Sequence, residues 1–270
     1  MKIVDCFIFN DELQMLDFRL AEMSHAVDHH VLVEGTRTVA GNPKPLYFDA
    51  NKERYAAYLP KIVHVIVDDF PTRDIAPPIT HAKLQHIMGM EHHQRRCIDR
   101  GLRRLGLKNN DILIITDCDE VPDPVVIDSV RQSTIDDEVL CLGMDQYYYD
   151  WQCQVGGPSA SKIMTVLAYL KQQSDPQVIR AQVSPCPARL ARAGWHCSYF
   201  GGVDTIIRKL QTFAHQEFND PKYLDREQMA TIIANRGDIL LRPLPTYRHV
   251  PIETNDYLPE HYDLLKTVTQ

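Results

Sequence analysis

The chain has 270 residues, 24% of them charged and 44% apolar, with a net charge of -7. That length holds one large α/β domain or two small ones, and the acidic balance argues against non-specific nucleic-acid binding, which rests on phosphate neutralisation by Lys and Arg. No apolar run approaches the ~20 residues of a membrane span, and "MKIVDCFIFN" is too short and too polar for a signal peptide.

In chain order, "KIVDCFIF" predicts a first strand. Asn10 and Asp11 are placed to cap the helix "ELQMLDFRLAEMSHAV", where Leu13, Leu16, Leu20 and Met23 recur at helical spacing. "HHVLVEG" is a second strand with Glu34 near its end, and "KIVHVIVDDF" a third. A long helix from about His81 to Leu105 leads to a fourth strand in "DILIITDCDEVPDP". Strands alternating with helices predict βαβ crossovers and a mostly parallel sheet. Further on, "EVLCLGMDQYYYDW" reads as strand and "SKIMTVLAYLKQ" as strand or helix. "GWHCSYFGG" is a strand running into a Gly turn, and "VDTIIRKLQTFAHQEF" and "DREQMATIIANRG" are helical, the latter stopped by Gly237. The Pro-rich tail from Leu241 is expected on the surface. One domain is expected over residues 1–270, with a ligand-binding half at 1–123 and a second half with the tail at 124–270.

The seven cysteines are scattered and never form a CxxC pair, which argues against a disulfide framework and a structural zinc site. On these grounds a cytoplasmic protein is expected.

The fourth strand ends on three carboxylates, Asp117, Asp119 and Glu120. Parallel sheets bind ligands at the carboxyl ends of their strands, and alternate residues of an extended segment point the same way, so Asp117 and Asp119 can converge on one ion. Hard oxygen ligands suit Mn²⁺ or Mg²⁺ carrying a diphosphate. A solvated acidic turn capping the next helix through Asp123 is the plain alternative. "LIITDCDEV" also fits the phosphohydrolase pattern of the haloacid-dehalogenase type, although that motif usually lies on a first strand and here three strands precede it.

Six stretches together are specific: "DCFIFNDELQMLDFRLAEM", "VDHHVLVEGTRTVAGNPKPLYF", "HHQRRCIDRGL", "DILIITDCDEVP", "AGWHCSYFGG" and "KLQTFAHQEFN". With them the chain resembles glycosyltransferase family 17, whose best-known members add the bisecting N-acetylglucosamine to N-glycans. The resemblance implies a GT-A-like α/β domain with a mostly parallel central sheet flanked by helices. It implies a UDP-sugar donor (UDP-GlcNAc in the known members), a divalent metal, inversion at the anomeric carbon and a carbohydrate acceptor. It favours a metal at Asp117 and Asp119. Cys197 and Val39 stand where the family often carries aromatic residues.

An inverting transfer needs a base on the attacking side and charge stabilisation on the leaving side. Glu217 is the first candidate base and Asp204 the second. Arg95, in a family-like Gln-Arg pair, is placed to reach the diphosphate, and Arg96 must face away from it. Asp5 and Glu34 are candidates for the nucleoside, and Trp195 and His196 for the donor sugar, beside a Gly201-Gly202 pair that lets backbone approach closely. His215 and His249 are further candidate metal ligands. Alternation sends Tyr147 and Tyr149 to one face and Tyr148 to the other, so at least one should line a cleft. A carbohydrate-binding protein without turnover is the non-enzymatic alternative.

Overall fold

The computed structural model describes residues 1–71, 80–133, 135, 138–157, 161–182, 189–242 and 247–265. The strands are β1 (Ile3–Phe9), β2 (His29–Gly35), β3 (Ile62–Val67), β4 (Ile112–Asp117), β5 (Glu120–Pro122) and β6 (Val139–Leu142). They continue with β7 (Asp145–Tyr148), β8 (Cys153–Val155), β9 (Lys162–Thr165), β10 (Arg189–Leu190), β11 (Gly194–Ser198) and β12 (Tyr247–His249). Seven of them form the main sheet in the order β10-β6-β9-β4-β1-β2-β3. Four of its six pairings are parallel, and β9 runs antiparallel to both β4 and β6. The α/β class and the mostly parallel central sheet read from the sequence are both present. The other five strands make a second sheet, β12-β8-β7-β11-β5, which the sequence reading did not separate from the first.

The helices are α1 (Leu13–Met23), α2 (Tyr47–Ala50), α3 (His81–Arg96), α4 (Ile98–Leu102) and α5 (Pro124–Gln132). After them come α6 (Val166–Lys171), α7 (Pro176–Ala181), α8 (Gly202–Thr212), α9 (Pro221–Leu224) and α10 (Arg226–Ala234). Alternation along β1 splits the core in two. Ile3, Phe7 and Phe9 pack with Leu16, Phe18 and Leu20 of α1 on one face, while Val4 and Cys6 pack with Met90 and Ile98 of α3 and α4 on the other. All of these side chains are buried, so each contributes about 1.5–3 kcal/mol of hydrophobic stabilisation.

Several local readings are corrected by the structure. The predicted long helix breaks at Cys97 into α3 and α4. α1 is not capped by Asn10 or Asp11; the Glu12 carboxylate folds back and accepts from their amides at 2.9 and 3.0 Å. Asp123 does cap α5, accepting from the Val125 amide at 2.8 Å. "SKIMTVLAYLKQ" is both strand and helix, switching at Thr165, whose hydroxyl accepts from the Ala168 amide. α10 ends at Ala234, and Arg236 takes the left-handed conformation (φ 52°), while Gly237 closes the end by donating to the Ile232 carbonyl at 2.8 Å. "EVLCLGMDQYYYDW" divides into β6 and β7, which belong to different sheets. Part of the Pro-rich tail, residues 243–246, lies outside the described residues.

Five cysteines, Cys6, Cys97, Cys118, Cys153 and Cys197, are free and buried. Cys141 is disulfide-bonded, a correction that removes part of the ground for expecting a reducing compartment; Cys186 lies outside the described residues. Among the described residues no helix is long and apolar enough to cross a membrane.

Candidate active site

Asp117 is the last residue of β4, and after two intervening residues the chain enters β5, which pairs antiparallel with β11. That register sets His196 opposite Glu120, and the Cys197 amide donates to the Asp119 carbonyl at 2.8 Å. The DCDE turn is therefore clamped between the two sheets, over the carboxyl ends of β1 and β4. A cavity of about 750 Å³ opens there, lined by Asp117, Asp119, Arg180, His196 and Lys209 among others. The volume suits a nucleotide-sized ligand.

Beneath the turn lies Arg19 of α1, fully buried. Its guanidinium donates to the carbonyls of Asp117 (3.0 Å), Cys118 (3.3 Å) and Glu120 (2.8 Å) and to the Thr116 hydroxyl (2.6 Å). The same fork pairs with both oxygens of Asp5, which also meets His30 Nδ1 at 2.9 Å. Burial pushes the Asp5 carboxyl up, but Arg19 and His30 outweigh it and hold it at about 2. Asp5 thus does not face the cavity. It sits mid-strand, four residues short of the end of β1, and alternation turns it toward α1.

The three acids of the turn meet cations of the chain. Asp117 pairs through one oxygen with Arg95 (2.9 Å) and through the other with Arg180 (2.8 Å). Arg180 also reaches Glu120 at 2.7 Å, and Glu120 accepts from the Asp117 amide (3.0 Å) and the Ser161 hydroxyl (2.8 Å). Burial acts to raise the Asp117 carboxyl, and the two guanidinium groups drive it well below the usual range. Asp119 takes Lys209 Nζ on one oxygen at 2.7 Å, and its other oxygen stands 3.8 Å from His196 Nε2, beyond hydrogen-bond reach. Burial again opposes the shift, and Lys209, then His196, hold Asp119 low. Arg180 lines the cavity, and among the described residues its buried Nη1 has no hydrogen-bond partner.

The remaining sequence candidates separate clearly. Arg95 is buried behind the site, holding Asp117, Glu91 (2.7 Å) and Gln177 (2.6 Å). Glu34 is fully buried and engaged by the Phe48 amide (3.0 Å), His64 (3.0 Å) and Lys44 (3.5 Å), away from the cavity lining. Trp195 faces the core: alternation along β11 points it and Cys197 inward and His196 and Ser198 toward the cavity. Its indole N–H donates to the Tyr257 carbonyl at 3.0 Å, and the two rings lie 5.0 Å apart. Asp204 is exposed on α8, paired with Arg226, and does not line the cavity. His249 is exposed on β12, at the outer edge of the second sheet. His215 lines the cavity, and its Nδ1 lies 2.9 Å from Glu217, which does not itself line it. Tyr148 lines the cavity and Tyr147 is core, but Tyr149 leaves the alternation through its left-handed backbone (φ 68°) and packs on the same side as Tyr148.

Arg180 and Lys209 carry no motif, and sequence reasoning did not single them out. Lys209 falls inside the quoted stretch "KLQTFAHQEFN"; Arg180 sits on a short helix with no distinguishing pattern. Among the described residues, three ligand-type side chains gather within 4.8 Å only at Asp69, His93 and Cys97, outside the cavity lining, where Arg100 already forks both oxygens of Asp69. Asp119 and His196 offer two atoms of the right type for a hard divalent ion that keeps water and phosphate ligands, 3.8 Å apart and not bonded to each other, although His196 Nε2 also lies 2.9 Å from the Ser198 hydroxyl, which an ion would displace.

The sequence profile of glycosyltransferase family 17 matches residues 1–252. A human β-1,4-mannosyl-glycoprotein 4-β-N-acetylglucosaminyltransferase is 26% identical over 262 residues, covering 87% of this chain and 47% of its own. The rat protein of the same name is 26% identical over 124 residues, 45% of this chain and 22% of its own. The chain thus spans about half the length of the human relative or less of the rat one. The galactosyltransferase LgtC, solved with donor and acceptor sugar analogues, aligns with 96% of this chain and 92% of its own at 12% identity and a TM-score of 0.31, too low to carry an argument. A profile match over nearly the whole sequence is decisive: the chain belongs to glycosyltransferase family 17.

Proposed function

We propose that this GT-A-like domain transfers a sugar, GlcNAc in the first instance, from a UDP-sugar to a carbohydrate hydroxyl with inversion, using a divalent metal. The observation that carries the reading is the cavity over the strand ends, whose lining brings Arg180 and Lys209 together with Asp117, Asp119 and His196. A diphosphate is the acceptor that a guanidinium and an ammonium lining one cavity suit. Asp119 and His196 would hold the metal, Mn²⁺ or Mg²⁺, which when bound neutralises charge developing on the leaving diphosphate. Asp117, with both oxygens taken by guanidinium groups, keeps Arg95 and Arg180 in place.

The geometry favours a shared base over a lone carboxylate. Glu217 pairs with His215 Nδ1, which leaves Nε2 of His215 free to accept the proton of an attacking hydroxyl. In this reading Glu217 fixes the tautomer and His215 meets the acceptor. The natural acceptor belongs to the same proposal only as a class, a sugar hydroxyl.

The test is thermal stabilisation by UDP, UDP-GlcNAc, UDP-Glc and UDP-Gal, each with Mn²⁺ and with chelator, on wild type and Asp119→Ala. Ligands bound only by the folded state raise its melting temperature. A Mn²⁺-dependent shift with UDP-GlcNAc, lost in Asp119→Ala, is expected. No shift with any nucleotide at millimolar concentration would overturn the donor assignment and bring the phosphohydrolase and lectin readings forward.

A further inference from the structure

The acidic turn that motivates a metal is already balanced. Asp117, Asp119 and Glu120 meet Arg95, Arg180 and Lys209. Both oxygens of Asp117 are held by guanidinium groups, so Asp119 alone of the pair has an oxygen free of hydrogen bonds, the one facing His196. A bare dication entering here finds one carboxylate oxygen and one imidazole nitrogen already 2.9 Å from the Ser198 hydroxyl, with three cations of the chain close by. That is a poor site for a free ion. It is a good one for an ion that brings its own diphosphate, because the pair carries little net charge and the phosphates complete the coordination.

The three cations differ in freedom. Arg95 and Arg180 are buried and fixed by two or more partners each. Lys209 is 29% exposed in its side chain, holds only Asp119, and lies 5.5 Å from the centre of the Tyr199 ring. Its ammonium is a point charge on a four-carbon stem, able to change partner without a fork to realign.

Resting on the transferase reading above, we propose that Lys209 is the resident counter-ion of Asp119 and exchanges with the incoming metal. On binding, Lys209 leaves Asp119 for the donor's diphosphate, Asp119 takes the ion, and metal and nucleotide enter as one unit. The exchange keeps the charge of the site nearly constant, since an ammonium and a dication trade places against a carboxylate and a diphosphate. Metal affinity is thereby made conditional on the nucleotide.

The experiment titrates Mn²⁺ into the full chain by electron paramagnetic resonance, with and without UDP, for wild type, Lys209→Met and Lys209→Arg. Melting curves establish that each variant is folded. Wild type is expected to bind Mn²⁺ weakly alone and about tenfold or more tighter with UDP, a coupling of ordinary size between linked ligands. Lys209→Met should bind Mn²⁺ alone roughly tenfold tighter than wild type and show a much smaller UDP effect, having lost both the competitor and the diphosphate contact. Lys209→Arg should bind Mn²⁺ alone as weakly as wild type but show a smaller UDP effect, because its planar fork must realign to change partner. If wild type couples Mn²⁺ to UDP and Lys209→Met binds Mn²⁺ alone no more tightly, the exchange is wrong while the transferase reading stands. If wild type binds no UDP even with saturating Mn²⁺, the donor reading falls and the exchange falls with it.

Discussion

Arg19→Met tests how the acidic turn is held. Arg19 and Asp5 are both completely buried, so removing the guanidinium leaves a carboxylate in the core with His30 as its remaining partner. Breaking a buried pair on one side costs about 3–5 kcal/mol. The carbonyls of Asp117, Cys118 and Glu120 and the Thr116 hydroxyl also lose their donor. Allowing about 1 kcal/mol for the two carbonyls least able to find water brings the loss to roughly 4–6 kcal/mol, a large part of the 5–15 kcal/mol typical of a domain. Urea denaturation should show a lower midpoint at unchanged slope. The cycle with Asp5→Asn separates the causes: the double variant no longer buries an unpaired charge and should recover about 2–3 kcal/mol relative to Arg19→Met. Its turn still lacks the three carbonyl bonds, so Mn²⁺–UDP affinity should stay low although the fold is regained. A loss below about 1 kcal/mol, or strict additivity of the two substitutions, would refute the view that Arg19 is the anchor of the turn.

Three further outcomes follow from the same geometry. Asp5 is held at about 2 against an ordinary 3.8, so its pairing stabilises the fold above pH 4 and that contribution, about 2 kcal/mol, is lost as pH falls toward 2. Asp5→Asn should flatten the acid limb of a stability–pH profile over that interval. Arg180→Ala should weaken UDP binding by about tenfold or more at saturating Mn²⁺, because it removes a guanidinium from the cavity lining and leaves Asp117 with one cation fewer. Trp195→Phe should lower stability by about 1–2 kcal/mol through the lost Tyr257 bond and packing while leaving UDP-GlcNAc affinity within about twofold; a selective loss of sugar affinity would return Trp195 to the site.

What the sequence made legible was periodicity. The run "ILII" ending on Asp117, the helical spacing of Leu13, Leu16, Leu20 and Met23, and the alternation in "DCFIF" each write one backbone period into apolar spacing, and the parallel sheet follows from their order. The position of Asp119 and His196 on the cavity was also readable, because a strand end and a strand's alternation fix them locally. The second sheet was not, since β5 and β8 are three residues each, β5 pairs with β11 more than 70 residues on, and β8 joins β7 nearby to β12 more than 90 residues on. The same limit explains the acids. Asp5, Glu34 and Asp117 look alike in sequence, each an acid in or at the end of an apolar strand, and what distinguishes them is the cation that another element delivers. Arg19 delivered from α1 makes Asp5 a fixture of the core; Lys44 and His64 do the same to Glu34; Arg95 and Arg180 occupy both oxygens of Asp117. Asp119 alone of these four is paired with a partly exposed lysine, since Lys44 beside Glu34 is buried, and so the acid best able to accept a new cation is the one whose present partner can leave.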